Sequence, residues 1–200
     1  MAAFPGFFVS LARILILVCA GALTARGTDD PVGTIEFRDV TFAYSGTDKN
    51  ILEHFSYTVR KGDRVGIAGE SGAGKSTILR LLLRFYAPMA GEIRINGIPL
   101  EQISFAELHR RIAFLEQDTY LFDATIAQNI GIARVLLRDP DVCLMDEPSS
   151  ALDPLHEREL LHSLETEYAG KTFPLISHRQ STLAGCTRLL KMEQGKAIPQ

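Results

Sequence analysis

Residues Arg64–Phe85 read RVGIAGESGAGKSTILRLLLRF, and this stretch decides the fold. Arg64–Ala68 is a short apolar run that predicts a buried strand. Lys75–Phe85 carries a helical pattern that Ala87-Pro88 ends. Between them, Gly69-Glu70-Ser71-Gly72-Ala73-Gly74-Lys75-Ser76 fits the pattern G-x-x-x-x-G-K-[ST]. Side chains are absent where phosphates would crowd the backbone, and the glycines permit positive φ. The exposed N–H groups and the dipole of the following helix favour negative charge. Gly69, Ser71, Gly72, Ala73, Gly74, Lys75, Ser76 and Thr77 are therefore candidate phosphate contacts. Lys75 would reach the terminal phosphates and the Ser76 hydroxyl would ligate Mg2+. A glycine turn before a helix is commonplace; the complete pattern with a strand before it and a helix after it is specific.

Working outward, strands and helices alternate. Thr34–Tyr44 and His54–Arg60 have the alternation and the β-branched and aromatic content of strands, and form an antiparallel part ahead of the loop. Further strands are predicted at Glu92–Ile95, Ile112–Leu115, Val142–Met145 and Phe173–Ile176. Helices fall at Ser104–Arg111, with Ser104 as N-cap and Glu107 in the capping-box position, and at Pro154–Tyr168, with Asp153 as cap. The class is α/β: a P-loop NTPase with a mostly parallel sheet flanked by helices. At the end of one predicted strand, Val142-Cys143-Leu144-Met145 is followed by Asp146-Glu147, the edge at which ligands of parallel sheets bind. Asp146 would hold Mg2+ through water, and Glu147 would polarise an attacking water.

Composition narrows the alternatives. The chain has 200 residues, 46% of them hydrophobic and 22% charged, which excludes a disordered tail protein. Lys and Arg number 21 against 24 Asp and Glu; the net charge of −3 argues against a nucleic-acid partner. Cys19, Cys143 and Cys186 have no C-x-x-C spacing and read as buried free thiols. Phe4–Ala25 (FPGFFVSLARILILVCAGALTA) is apolar, with Arg13 as its only charge. It is long enough to span a bilayer as a helix, or to serve as a signal-like segment with Ala20-Gly21-Ala22 as the cleavage site. The membrane reading is preferred because the basic n-region is missing and a nucleotide enzyme works where ATP is. Three parts are therefore expected: residues 1–26 as the apolar segment, 27–33 as a linker, and 34–200 as the ATP-binding domain.

With these residues in view, the chain resembles the nucleotide-binding domain of an ABC transporter of the exporter type, from about Thr34 to Ile198. Tyr44 falls where the family stacks an aromatic ring on adenine. Gln117, in Leu115-Glu116-Gln117-Asp118, matches the glutamine that touches the metal, and Thr119–Ile130 resembles the exporter stretch after it. Ser150-Ala151-Leu152-Asp153 matches the loop at the family's dimer interface. Ile176-Ser177-His178-Arg179 matches the histidine that contacts the γ-phosphate. The resemblance implies Lys75, Glu147 and His178 as catalytic residues, with Ser76, Gln117 and Asp146 around Mg2+. It also implies ATP as ligand, a second nucleotide-binding domain in a homo- or heterodimer, a transmembrane permease domain, and a membrane-associated protein with its nucleotide domain in the cytoplasm. Taken singly, Tyr44, Gln117 and His178 say little; their order carries the reading. His54, His109, His156 and His162 read as ordinary solvated histidines.

One departure stands against these matches. The family's L-S-G-G-Q signature is absent, and only 71 positions separate Lys75 from Asp146. Gly131–Pro140 resembles the end of the helix that follows the signature, so most of the helical subdomain is expected to be missing. Two such chains would pair two P-loops with no signature, and ATP would bind but turn over poorly without an intact partner. Pro174, inside a predicted strand ahead of His178, removes a ladder donor and is a second oddity that could displace the histidine. Three readings follow: an exporter ATPase subunit acting with a partner, a nucleotide-binding chain without turnover, and a chromosome or repair ATPase of ABC type. The charge and the apolar N-terminus count against the last.

Overall fold

The computed structural model describes residues 30–47, 49–115, 139–150, 152–166 and 170–198. The apolar segment and Cys19 lie outside these residues, as do Gln117, the stretch resembling the exporter region and Ala151. In chain order the strands are β1 (Thr34–Phe42), β2 (Leu52–Arg60), β3 (Arg64–Gly69), β4 (Ala90–Ile95), β5 (Ile98–Pro99), β6 (Ile112–Leu115), β7 (Val142–Asp146), β8 (Phe173–Ile176), β9 (Arg188–Glu193) and β10 (Lys196–Ile198). The helices are α1 (Lys75–Leu82), α2 (Phe105–Arg111), α3 (Pro154–Thr166) and α4 (Gln180–Ala184), and a single 3-10 turn covers Leu100–Gln102.

Two sheets form. The antiparallel one has the order β2-β1-β4-β5; the larger has the order β10-β9-β3-β8-β7-β6 and is parallel except for β10. In β1 the buried residues change phase. Ile35 and Phe37 face inward, then Val40 and Phe42, because the register with β2 shifts between Phe37 and Val40. Asp39 takes up the extra residue with φ 53°, the geometry of a bulge. Phe37 meets Phe55 of β2 edge to face at 5.5 Å.

The main core lies between the antiparallel sheet, α1 and one face of the parallel sheet. Ile35, Phe37, Phe55, Leu79, Leu82, Ile67, Leu144 and Ile176 all meet in it. The other face of the parallel sheet has its own smaller cluster, in which Cys143, Met145, Phe173 and Leu175 pack on Leu164 of α3. Successive residues of β7 thus supply both cores, which is why it reads as an uninterrupted apolar run. Burial pushes the Cys143 thiol up to about 12 and that of Cys186 to about 11, as suits unreactive thiols.

The local signals hold with small changes at the ends. Ser104 caps α2 by accepting the Glu107 amide at 3.1 Å. The Glu107 carboxylate does not reach back as a capping box would; it accepts from Arg110 and Arg111 instead. Asp153 accepts the Leu155 amide at 2.9 Å ahead of α3. The helix after the glycine loop stops at Leu82 rather than Phe85, because Arg84 turns left-handed at φ 58° and its guanidinium reaches the Ile103 carbonyl and the face of Phe105. The hairpin of β9 and β10 was not expected. Its signal was present in Leu190 and Met192, buried in alternation, followed by Gln194-Gly195 at φ 48° and 78°, a type I′ turn. Residues 30–33 lie against the domain: the Asn96 amide holds Pro31 and Gly33, and Asp141 accepts the Val32 amide.

Pro174 leaves its mark on β8, a strand with neighbours on both sides. The β7–β8 pairing is a lone bridge at Val142–Thr172 that resumes only at Met145–Leu175, with Pro174 in the gap. Among the described residues no helix is long and apolar enough to cross a membrane.

Leu144 is fully buried between the two sheets. Leu144→Ala is expected to lower unfolding stability by about 2–5 kcal/mol, read as a drop in the urea midpoint with an unchanged slope.

Candidate functional site

Three loops leave the carboxyl ends of three adjacent strands. Gly69–Gly74 follows β3, Glu147 follows β7, and Ser177-His178 follows β8, which lies between the other two. This edge of a parallel sheet is where side chains from separate stretches of sequence converge on one ligand.

The glycine loop is built for close approach. Gly69 ends β3, Ser71 and Gly72 are exposed, and the Ala73 amide bonds back to the Glu70 carbonyl at 3.2 Å. Gly74 is the N-cap of α1 with φ 95°; a Cβ there would stand 2.9 Å from the Ile51 carbonyl oxygen and 2.8 Å from Leu52. No acidic residue occupies the first turn of α1, so the positive end of the helix is not neutralised by its own sequence. Lys75 is buried, and its Nζ donates to the carbonyls of Gly69 and Glu70, each at 2.8 Å. Burial lowers its pKa, and the nearby Glu147 and Asp146 work against that. A buried ammonium whose acceptors are two neutral carbonyls is suited to an incoming polyanion, which would supply the charge the carbonyls lack.

Ser76 is half-buried on the first turn of α1. Thr77 turns the other way: its Oγ1 lies 3.0 Å from the Tyr44 hydroxyl. Tyr44 belongs to an aromatic group with Phe42, at 4.9 Å, and Tyr86, at 5.1 Å, both edge-on. Tyr86, partly exposed beside it, is a contributor that the sequence reading did not single out.

Asp146 is the last residue of β7 and is buried. Glu147 then takes the left-handed conformation at φ 51°, which costs a non-glycine residue about 1–2 kcal/mol. Its amide donates to the Ile176 carbonyl at 3.0 Å and its own carbonyl accepts from Ser150 at 3.1 Å, so the strained turn is held on both sides. The Glu147 Oε1 stands 3.2 Å from His178 Nε2. The interruption at Pro174 has therefore not carried His178 away from Glu147.

Sequence reasoning missed the roles of Arg179, Glu157, Ser149 and Thr182, which form a polar cluster beside this pair, buried at all but Arg179. Arg179 and Glu157 are 22 positions apart, and only the fold brings them together. Among the described residues no three His, Cys, Asp or Glu side chains group as a metal cage.

The sequence profile of the ABC transporter family matches residues 52–130. A probable ABC transporter ATP-binding/permease protein of Haemophilus influenzae is 35% identical across 82% of this chain and 39% of its own length. An ATP-dependent lipid A-core flippase of Paraburkholderia xenovorans is 30% identical across 83% of this chain and 37% of the relative. Among solved structures, a bacterial Atm1-family ABC exporter with ATP bound superposes with a TM-score of 0.76 at 27% identity, covering 96% of this chain and 43% of that one. The chain thus spans well under half the length of these relatives. The alignment to the Haemophilus protein extends over 216 positions yet takes in only 82% of 200 residues here, so the relative carries residues with no counterpart in this chain.

Gly74→Ala places a methyl group against backbone at an unfavourable φ. It is expected to cost about 1–3 kcal/mol of stability, measured by urea unfolding in the absence of ligand.

Proposed function

The chain belongs to the ABC transporter family, and on that premise we propose that it binds Mg-ATP on the Gly69–Thr77 loop and, completed by a second nucleotide-binding domain, hydrolyses it to drive transport through a transmembrane permease domain at a membrane. The observation that carries the proposal is the convergence of Lys75, Asp146, Glu147 and His178 at one sheet edge, with His178 Nε2 and Glu147 Oε1 at 3.2 Å. In this reading Lys75 exchanges its two loop carbonyls for phosphate oxygens, and the N-terminus of α1 adds its amides. Ser76, Asp146 and Gln117 would hold Mg2+, which when bound offsets charge on the phosphates. Glu147 orients the attacking water and accepts its proton at a carboxylate oxygen. His178, in the tautomer with a proton on Nε2, steadies Glu147 and faces the γ-phosphate. Tyr44 would release its ring from Phe42 and Tyr86 to meet the adenine. The nucleotide domain would work on the cytoplasmic side, where ATP is available.

A second reading has its own observation. No signature motif lies between Lys75 and Asp146, so a chain that binds ATP without useful turnover is the alternative. In that case the residues that stabilise the γ-phosphate across the interface would have to come from a partner.

Binding and hydrolysis separate in mutants. Lys75→Ala removes charge-assisted hydrogen bonds and is expected to weaken binding of a fluorescent ATP analogue by about 10–100-fold. Glu147→Gln is expected to bind as the parent does and to lose turnover by about 10²–10⁴-fold. Unchanged binding by Lys75→Ala would sink the phosphate assignment. Steady-state hydrolysis that rises with protein concentration and vanishes in Glu147→Gln favours a dimeric ATPase; parent turnover no higher than that of the mutant favours the second reading.

A further inference from the structure

The polar cluster beside Glu147 and His178, buried at Ser149, Glu157 and Thr182, connects three segments of the chain. Arg179 donates from Nη1 to the Leu152 carbonyl at 2.9 Å and to Glu157 Oε2 at 3.0 Å, and from Nη2 to the Ser150 carbonyl at 3.1 Å. Glu157 lies in the first turn of α3 with its side chain only 5% exposed. Its Oε1 accepts from Ser181 at 2.9 Å, from Ser149 at 3.4 Å and from Thr182. Burial works against the charged carboxylate, but the hydrogen bonds from Thr182, Ser181 and Arg179 outweigh it and hold Glu157 below its ordinary value. Ser149 Oγ and Thr182 Oγ1, both fully buried, lie 3.1 Å apart. No member of this cluster belongs to the phosphate loop.

These contacts close a ring. From Glu147 the chain runs three residues to Ser150, locked by the Ser150 amide on the Glu147 carbonyl, with the Leu152 amide on the Ser149 carbonyl just beyond. Arg179 grips that turn at two carbonyls, and its neighbour His178 returns to Glu147 through the 3.2 Å contact. A guanidinium suits this place because its planar fork can serve two carbonyls and a carboxylate together. Glu157 fixes the fork from behind, and the hydroxyls of Ser149, Ser181 and Thr182 fix Glu157.

We infer that Arg179 and Glu157 are a positioning pair that sets His178 against Glu147, so that Ser150, Leu152 and the histidine move as one body. The inference rests on the reading of Glu147 and His178 as working partners. It assigns the pair, in which Glu157 is buried and Arg179 is 35% exposed, a role in register rather than in net stability, since desolvating a charge offsets much of what its partner contributes.

The test reads the Glu147–His178 contact without requiring turnover. In the full 200-residue chain labelled with 15N-histidine, the imidazole signals of His178 are assigned by their loss in His178→Gln. In the parent background, Glu147→Gln is expected to shift them clearly. In Arg179→Ala, and in Arg179→Lys, which keeps the charge but not the fork, the same Glu147→Gln change is expected to move them by less than half as much. Glu157→Gln, which keeps acceptors for the hydroxyls and releases Arg179, should act in the same direction. A purely structural role would lower the melting temperature and leave the shift intact in the folded molecules. An undiminished shift in Arg179→Lys and Glu157→Gln overturns the positioning role alone. No shift in the parent background overturns the Glu147–His178 partnership, and the inference with it.

Discussion

A buried ammonium held by two carbonyl dipoles is the constraint around which this domain is arranged. Lys75 is withdrawn from water by the glycine loop and by the residues that bury α1, and its own loop offers only partial charges in return. The carboxylates of Asp146, which ends β7, and Glu147, which follows it, are near enough to act on it through space, while its hydrogen bonds go to the loop carbonyls. The whole edge is thereby poised between a cation short of negative charge and acids on the neighbouring loop. The phosphate chain of the proposed nucleotide would supply the charge that the loop carbonyls lack.

Much of this was legible in the sequence because the decisive features are local. An eight-residue glycine-rich motif that joins a strand to a helix announces itself, and so does an apolar run ending in two acids. The strands Ile112–Leu115 and Phe173–Ile176 fall at their expected positions for the same reason: each is a short apolar run between polar residues in the sequence. What escaped depends on competition between side chains or on pairing that no motif marks. Glu107 could be placed at a capping position, but two arginines one turn further along the same helix take its carboxylate. The hairpin of β9 and β10 carries ordinary residues and is recognisable mainly from its turn. Arg179 and Glu157 have no motif of their own, since their meaning arises only where α3 and the segment after β8 come together. Gln117 and the region that resembles the exporter stretch lie outside the described residues.

One strained residue and one interrupted ladder bear on the pairing that holds this edge. Glu147 is left-handed without being a glycine, and Pro174 breaks the ladder between the strands that carry Glu147 and His178. Either feature would loosen a sheet on its own. Here the ladder resumes at Met145–Leu175 and Asp146–Ile176, and the Glu147 amide takes the Ile176 carbonyl. The backbone is therefore best tied together next to the acidic residues, where tolerance for displacement is least.

The strand order also has a kinetic consequence. β3 pairs in parallel with β8 and β9, and the first of these pairings joins Arg64 to Phe173 across more than a hundred residues. Closing a loop of that length costs chain entropy before any contact is gained, and parallel pairing offers no short hairpin from which to start. The antiparallel β1–β2 pair can form early and alone, whereas the sheet that holds the site waits for nearly the whole chain. During synthesis the glycine loop would emerge well before the strands that flank β3, which stays open on both sides until β8 and β9 arrive.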